Sequence, residues 1–151
     1  MIAELGLALL WISAALACLS LLAGVAFLRS GKAELAAIIR PASVAMGALT
    51  TTSFFLLIWL FVRSDMSVEL VARNSNSLKP MIFKVAGTWG NHEGSMLLWL
   101  AVLCLSGALV ALFEKRLRQD TLIATLTAQA ALSLGFFAFL LLSSNPFNRL
   151  A

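Results

Sequence analysis

Four stretches of this chain are each apolar over enough residues to cross a lipid bilayer, and no other feature limits its fold as tightly. A crossing helix needs about 20 apolar residues. The runs extend from about Ile2 to Leu28, Ala42 to Val62, Ser95 to Phe113 and Leu122 to Ser143. Inside lipid a backbone must satisfy its own hydrogen bonds, so these runs are expected to be helices. Leu and Ala dominate them, and no proline falls inside any of the four. The expected fold is therefore all-α. It is a polytopic membrane protein with four transmembrane helices, read as one membrane domain over residues 1–151. Composition agrees: 61% of residues are hydrophobic and only 12% are charged, against about 25% charged in a soluble domain. A disordered chain, a disulfide scaffold and a nucleic-acid module are excluded, and a soluble enzyme is disfavoured.

The net charge of +4 does not imply a nucleic-acid partner. The basic residues flank apolar runs, where topology and lipid headgroups account for them. No Lys or Arg precedes the first run, while Arg29, Lys32 and Arg40 follow it, and Lys115, Arg116 and Arg118 crowd the link between runs three and four. Both links are then expected in the cytoplasm, with both termini and the link between helices two and three outside. Ala15-Leu16-Ala17 resembles a signal-peptide cleavage site. The missing basic n-region and the length of the apolar run argue for a retained helix instead.

Small residues recur at four-residue spacing in Ser43/Gly47/Thr51, Gly107/Ala111 and Ala131/Gly135, and each set is expected to let helices approach closely. Gln129 is expected to bond another helix. Cys18 and Cys104 stand alone in apolar runs and are read as packing residues.

The long link from Arg63 to Gly94 has internal texture. Ser67–Val71 suggests a short strand, and Asn74-Ser75-Asn76-Ser77 is turn chemistry. After Pro80, residues Met81, Ile82, Val85 and Trp89 share an apolar face at helical spacing, with Lys84 away from it. The pattern predicts a short helix lying on the membrane surface, with Trp89 at headgroup level. In Trp89-Gly90-Asn91-His92-Glu93-Gly94-Ser95, Gly90 and Gly94 are expected to allow a sharp turn. Asn91 is a natural N-cap for the third span, and Glu93 suits its dipole. His92, the single histidine, is open to three readings: a haem ligand, a proton-exchanging group, or a hydrogen-bonded residue of the cap. No nucleophile–base pair, phosphate-binding loop or closed metal site is visible, so no catalytic residue and no metal ligand is assigned.

These residues carry a family resemblance. Ala3-Glu4-Leu5-Gly6, Asp65-Met66-Ser67-Val68, Val71-Ala72-Arg73-Asn74-Ser75-Asn76, the block from Trp89 to Trp99, and Ser144-Asn145-Pro146-Phe147 come in an order that resembles the N-terminal part of the CcmF/NrfE cytochrome c biogenesis family. The resemblance covers essentially the whole chain. It implies a bacterial inner-membrane protein of cytochrome c maturation, acting in the haem lyase that attaches haem to apocytochrome c on the periplasmic side. It implies haem as cofactor, not held by this chain alone. The implied partners are the remainder of the lyase, a haem chaperone, apocytochrome c with its presenting membrane proteins, and the lipid bilayer. Asn74, Ser75, Asn76, Trp89, Gly90, Glu93, Gly94, Ser95 and Trp99 fall in the family's motifs without an assigned role, and His92 is the one candidate for haem contact.

The family's Trp-rich haem motif has no match here: Trp11, Trp59, Trp89 and Trp99 are scattered. An N-terminal fragment or one subunit of a split lyase is therefore expected, inactive in haem attachment alone. Two rival readings are a small four-helix exporter and an assembly subunit without haem contact. The exporter would need a membrane-embedded carboxylate in helix one, and Glu4 lies near that helix's outer end.

Overall fold

The computed structural model describes residues 1–150. Six helices follow one another: α1 (Ile2–Ser30), α2 (Ala33–Val62), α3 (Glu69–Asn74), α4 (Met81–Gly87), α5 (His92–Phe113) and α6 (Gln119–Leu142). Four of them, α1, α2, α5 and α6, are long and apolar enough to cross a membrane, as expected. Each of α1 and α5 packs between α2 and α6, which closes the bundle into a ring.

The first link is far shorter than the sequence suggests. Gly31 takes the left-handed conformation (φ 67°) and its N–H donates to the Phe27 carbonyl at 2.8 Å, which stops α1. Two residues later α2 begins, well before the expected Ala42, and it runs through Pro41. Thirty residues make about 45 Å of helix, against about 30 Å of hydrocarbon. The first turns of α2 therefore project past the lipid. Ala37 and Pro41 lie on the exposed side there, so the Ala37 carbonyl that Pro41 cannot bond is open to water or headgroups.

Small residues make room for larger ones where helices cross. A Cβ on Gly47 would lie 2.5 Å from that of Ala108, Gly24 receives Thr127, and Gly107 receives Gln129. Gln129 donates to the Leu103 carbonyl of α5, so its side chain does bond a neighbouring helix. Gly135 meets nothing within 4 Å. Ala131 and Gly135 lie on the exposed face of α6, and the contact their spacing suggests is not made. Cys18 is exposed on α1, and Cys104 is buried with its thiol 3.6 Å from the Ser133 hydroxyl.

The eleven basic residues divide between the two ends. Arg29, Lys32, Arg40, Lys115, Arg116 and Arg118 gather at one. There Arg40 donates to the Glu114 carbonyl at 3.0 Å, and Arg118 pairs with Asp120 at 3.3 Å. The other end carries α3, α4 and the tail.

Candidate functional site

The segment between α2 and α5 builds this second end from local signals. No strand forms over Ser67–Val71. Only Val68 makes a bridge, to Arg149, through Glu69 N–H to the Asn148 carbonyl at 2.9 Å and Leu150 N–H to the Ser67 carbonyl at 3.0 Å. Glu69 and Arg73 stand one helical turn apart and pair at 2.5 Å, while Leu70 and Val71 bury against the core. That pairing and burial favour helix α3 over a strand. The Asn-Ser turn behaves as expected: the Asn76 side chain accepts from Leu78 N–H at 3.0 Å, and the Asn76 carbonyl accepts from Lys79 N–H at 3.1 Å.

Asn91 caps α5. Its side-chain oxygen accepts from Gly94 N–H at 2.7 Å, and its amide donates to the carbonyls of Gly87 at 2.8 Å and Thr88 at 3.2 Å. One side chain thus closes the turn between α4 and α5. Neither glycine of the motif has a positive φ, so the turn does not use their conformational freedom. Gly94 is required for space instead. A Cβ there would overlap the Thr88 carbonyl oxygen and stand 2.8 Å from its carbon, whereas one on Gly90 would meet nothing closer than 3.4 Å. Ser95 donates to the His92 carbonyl at 2.9 Å. Trp89 lays its ring 6.5 Å from that of Phe54 on α2.

α3, the start of α5 and the tail after α6 enclose a polar cavity of about 530 Å³. Glu69, Arg73 and Asn74 line it from α3, Asn91, His92 and Glu93 from α5, and Ser143, Ser144, Asn145 and Asn148 from the tail. His92 is exposed at this rim. Its Nδ1 lies 3.4 Å from the Ser144 hydroxyl, and its ring meets Phe139 edge-on at 5.6 Å. Among the described residues no three metal-binding side chains converge. The cavity unites Asn74, His92 and Glu93. Trp89, Gly94 and Ser95 shape the turn beside it. Ser75, Asn76, Gly90 and Trp99 do not line it, and Trp99 is exposed on the outer face of α5.

A second knot fastens the tail beside the cavity. Glu4 accepts from Arg149 at 2.8 Å and also pairs with the N-terminal amine. Arg149 reaches the Ser67 hydroxyl, which donates to Asp65 at 2.6 Å. The Ser67 hydroxyl, opposed only in part by desolvation, holds the Asp65 carboxyl below its usual range; the Ser67 N–H and the Arg149 charge add to this. Phe147 is buried against Gly6, whose missing side chain leaves room for the ring. Glu4 is exposed in this ion network, unlike the buried carboxylate a proton-coupled exporter would need. Asn148 and Arg149 carry no signal in the sequence as site residues, because Glu69, Glu4 and Ser67, which they meet, lie far away along the chain.

No family model matches the sequence. Curated relatives do. The cytochrome c-type biogenesis protein CycK of Rhizobium meliloti is 43% identical over 150 residues, 99% of this chain and 22% of that protein. CcmF of Haemophilus influenzae is 36% identical over 149 residues, 99% of this chain and 23% of that protein. This chain is a homologue of the CycK, CcmF and NrfE cytochrome c-type biogenesis proteins. NrfE of Haemophilus influenzae aligns over 110 residues, 73% of the chain, at 42% identity. A solved structure of the cytochrome c haem lyase CcmF superposes over 100% of the chain and 25% of its own, with a TM-score of 0.92 at 23% identity. That likeness establishes the fold. The chain spans less than a quarter of the length of CycK and of CcmF.

Proposed function

We propose that this chain serves cytochrome c maturation as membrane-embedded part of a haem lyase, and that its cavity end faces the periplasm, where haem is joined to apocytochrome c. The observation that carries this reading is convergence. All five sequence segments that resemble the CcmF/NrfE family meet at one end of the bundle, around the cavity and the Glu4–Arg149 knot. The other end, with Arg29, Lys32, Arg40, Lys115, Arg116 and Arg118, is assigned to the cytoplasm of a bacterial inner membrane.

Haem enters as substrate. The residues present fit a contact rather than an enclosed site. His92 can give one imidazole donor to iron, or exchange a proton, while Ser144 faces its other nitrogen. The cavity walls are mostly carboxamide, hydroxyl and charged groups, which suit the polar edge of haem or a polypeptide better than a porphyrin face. No side-chain pair here would activate a nucleophile, so bond formation is assigned to the remainder of the lyase. The haem chaperone and the proteins presenting apocytochrome c are the expected partners at this face.

The test uses the complete lyase. Deleting Asn74–Ser77, or replacing His92 by Ala, is expected to lower holocytochrome yield at unchanged lyase level. In haem titration of the purified chain, a Soret shift that His92→Ala abolishes would favour direct contact at His92. Identical spectra with normal maturation would leave only the assembly role. A reporter fused near Lys79 that proved cytosolic would overturn the orientation and the reading with it.

A further inference from the structure

Helix α4 is an amphipathic helix facing the reverse of the ordinary way. Lys84, Val85 and Gly87 are half-buried, while Met81 (57% exposed), Ile82 (72%), Phe83 (61%) and Ala86 face away. At 3.6 residues per turn, the outward positions form one arc centred between Ile82 and Ala86, and it contains no polar side chain. Leu78, 88% exposed, extends the arc. The sequence pattern places Val85 with Met81 and Ile82 and sets Lys84 apart. In the structure both are half-buried: Lys84 lies opposite the arc, and Val85 lies on it between Met81 and Ile82. A short helix at the surface of a protein in water would show the opposite distribution.

What covers this arc follows from where α4 lies. Its inner side meets the outer end of α2, where a Cβ on Gly87 would touch the Phe61 ring at 3.5 Å. Trp89 then reaches Phe54, eight residues before the end of α2 at Val62, or about 12 Å along its axis. Next to Phe54, the exposed side chains Phe55 and Trp59 mark the flank of α2 that faces lipid. The apolar arc thus continues a lipid-facing flank at the level where that flank ends. Lys79 and Trp89 flank it in the chain, residue types that settle among headgroups.

We infer that α4 lies in the headgroup layer of the membrane with Met81, Ile82 and Phe83 inserted into lipid. It is then a second membrane anchor, attached to the segment that forms the cavity. Through the Asn91 cap it fixes the start of α5, and through Asn74, whose carbonyl accepts from Lys79 at 2.9 Å, it fixes the end of α3. The rim bearing His92 is thereby held at headgroup height, where an amphipathic molecule leaves the bilayer. Lipid contact by α4 does not depend on haem contact at His92.

The complete lyase is reconstituted in vesicles of phosphatidylethanolamine and phosphatidylglycerol with its native thiols replaced, Cys18→Ser and Cys104→Ala among them. Nitroxide labels are placed at Ile82→Cys and Phe83→Cys, with Ser77→Cys as the aqueous reference and Leu105→Cys as the lipid reference. At positions 82 and 83, relaxation by oxygen should exceed relaxation by a water-soluble nickel chelate several-fold, as at 105, with the reverse at 77. Dominant relaxation by the chelate at 82 and 83 would overturn the anchor. Immobilised spectra shielded from both reagents would overturn it too, showing a protein cover. If either variant fails to fold, Ala86→Cys, a smaller change on the same arc, gives the same reading.

Discussion

Replacing Gly94 by Ala should unfasten the turn between α4 and α5, although the added group is one methyl and the site is helical. The methyl would overlap the Thr88 carbonyl oxygen, stand 2.8 Å from the Thr88 carbonyl carbon and crowd the Asn91 side-chain oxygen at 3.0 Å. Two of these atoms are backbone and cannot rotate away. The third is the acceptor of the capping bond from Gly94 N–H. Loss of an N-cap costs about 1 kcal/mol, and a methyl forced against fixed atoms costs about 1–3 kcal/mol. The sum, about 2–4 kcal/mol, far exceeds the ~1 kcal/mol that Ala gains over Gly by helix propensity. Gly90 and Gly135 are internal controls. A Cβ at Gly90 meets nothing nearer than 3.4 Å and one at Gly135 meets nothing within 4 Å, so Gly90→Ala should be near neutral and Gly135→Ala neutral or stabilising. The assay is reversible unfolding of the purified chain in mixed micelles by added denaturing detergent, following helix content. Equal stability of Gly94→Ala and Gly90→Ala would refute the steric account of this turn.

Gly6→Ala should destabilise the bundle by about 1–3 kcal/mol because Phe147 occupies the space the methyl would take; in the same unfolding assay, Phe147→Leu should recover part of that loss, giving a double-mutant coupling between the first helix and the tail. Gln129→Leu removes the bond to the Leu103 carbonyl and should cost about 0.6 kcal/mol, the usual worth of an interhelical bond in lipid; a loss of several kcal/mol would show that Gly107 and Gln129 are coupled more tightly than this. The Asp65 carboxyl is held low in the folded chain, so its stabilising contribution is fully present above its unfolded value of about 3.9 and disappears as pH falls through the lower folded value. Proteolysis of the tail should therefore accelerate only below about pH 4, and Asp65→Asn should remove that Asp65-linked step.

The extent to which this molecule is legible in its sequence follows the reach of each interaction along the chain. The presence of four spans, the Asn91 cap and the Asn76 turn depends on neighbours within a few residues, and all three are found. Hydropathy reports where lipid ends, not where a helix ends. That is why Ala33–Pro41 reads as a link although the backbone is helical, with its unpaired carbonyl on the exposed side. Periodicity reports which residues share a face, not which way the face points. The residues of α4 are apolar at helical spacing, but only the approach of Gly87 to Phe61 and of Trp89 to Phe54 on α2 fixes which side of the segment meets the protein. The tail is the extreme case. Arg149 reads as one more stray positive charge, and its ion pair with Glu4 spans 145 residues. No local pattern encodes that pair, and it closes the end of the bundle that carries the cavity. The segments around Glu4, Asp65, Asn74, His92 and Asn145 are separate motifs in the sequence; in the fold they are one neighbourhood, and their shared location, more than any single residue, marks this face.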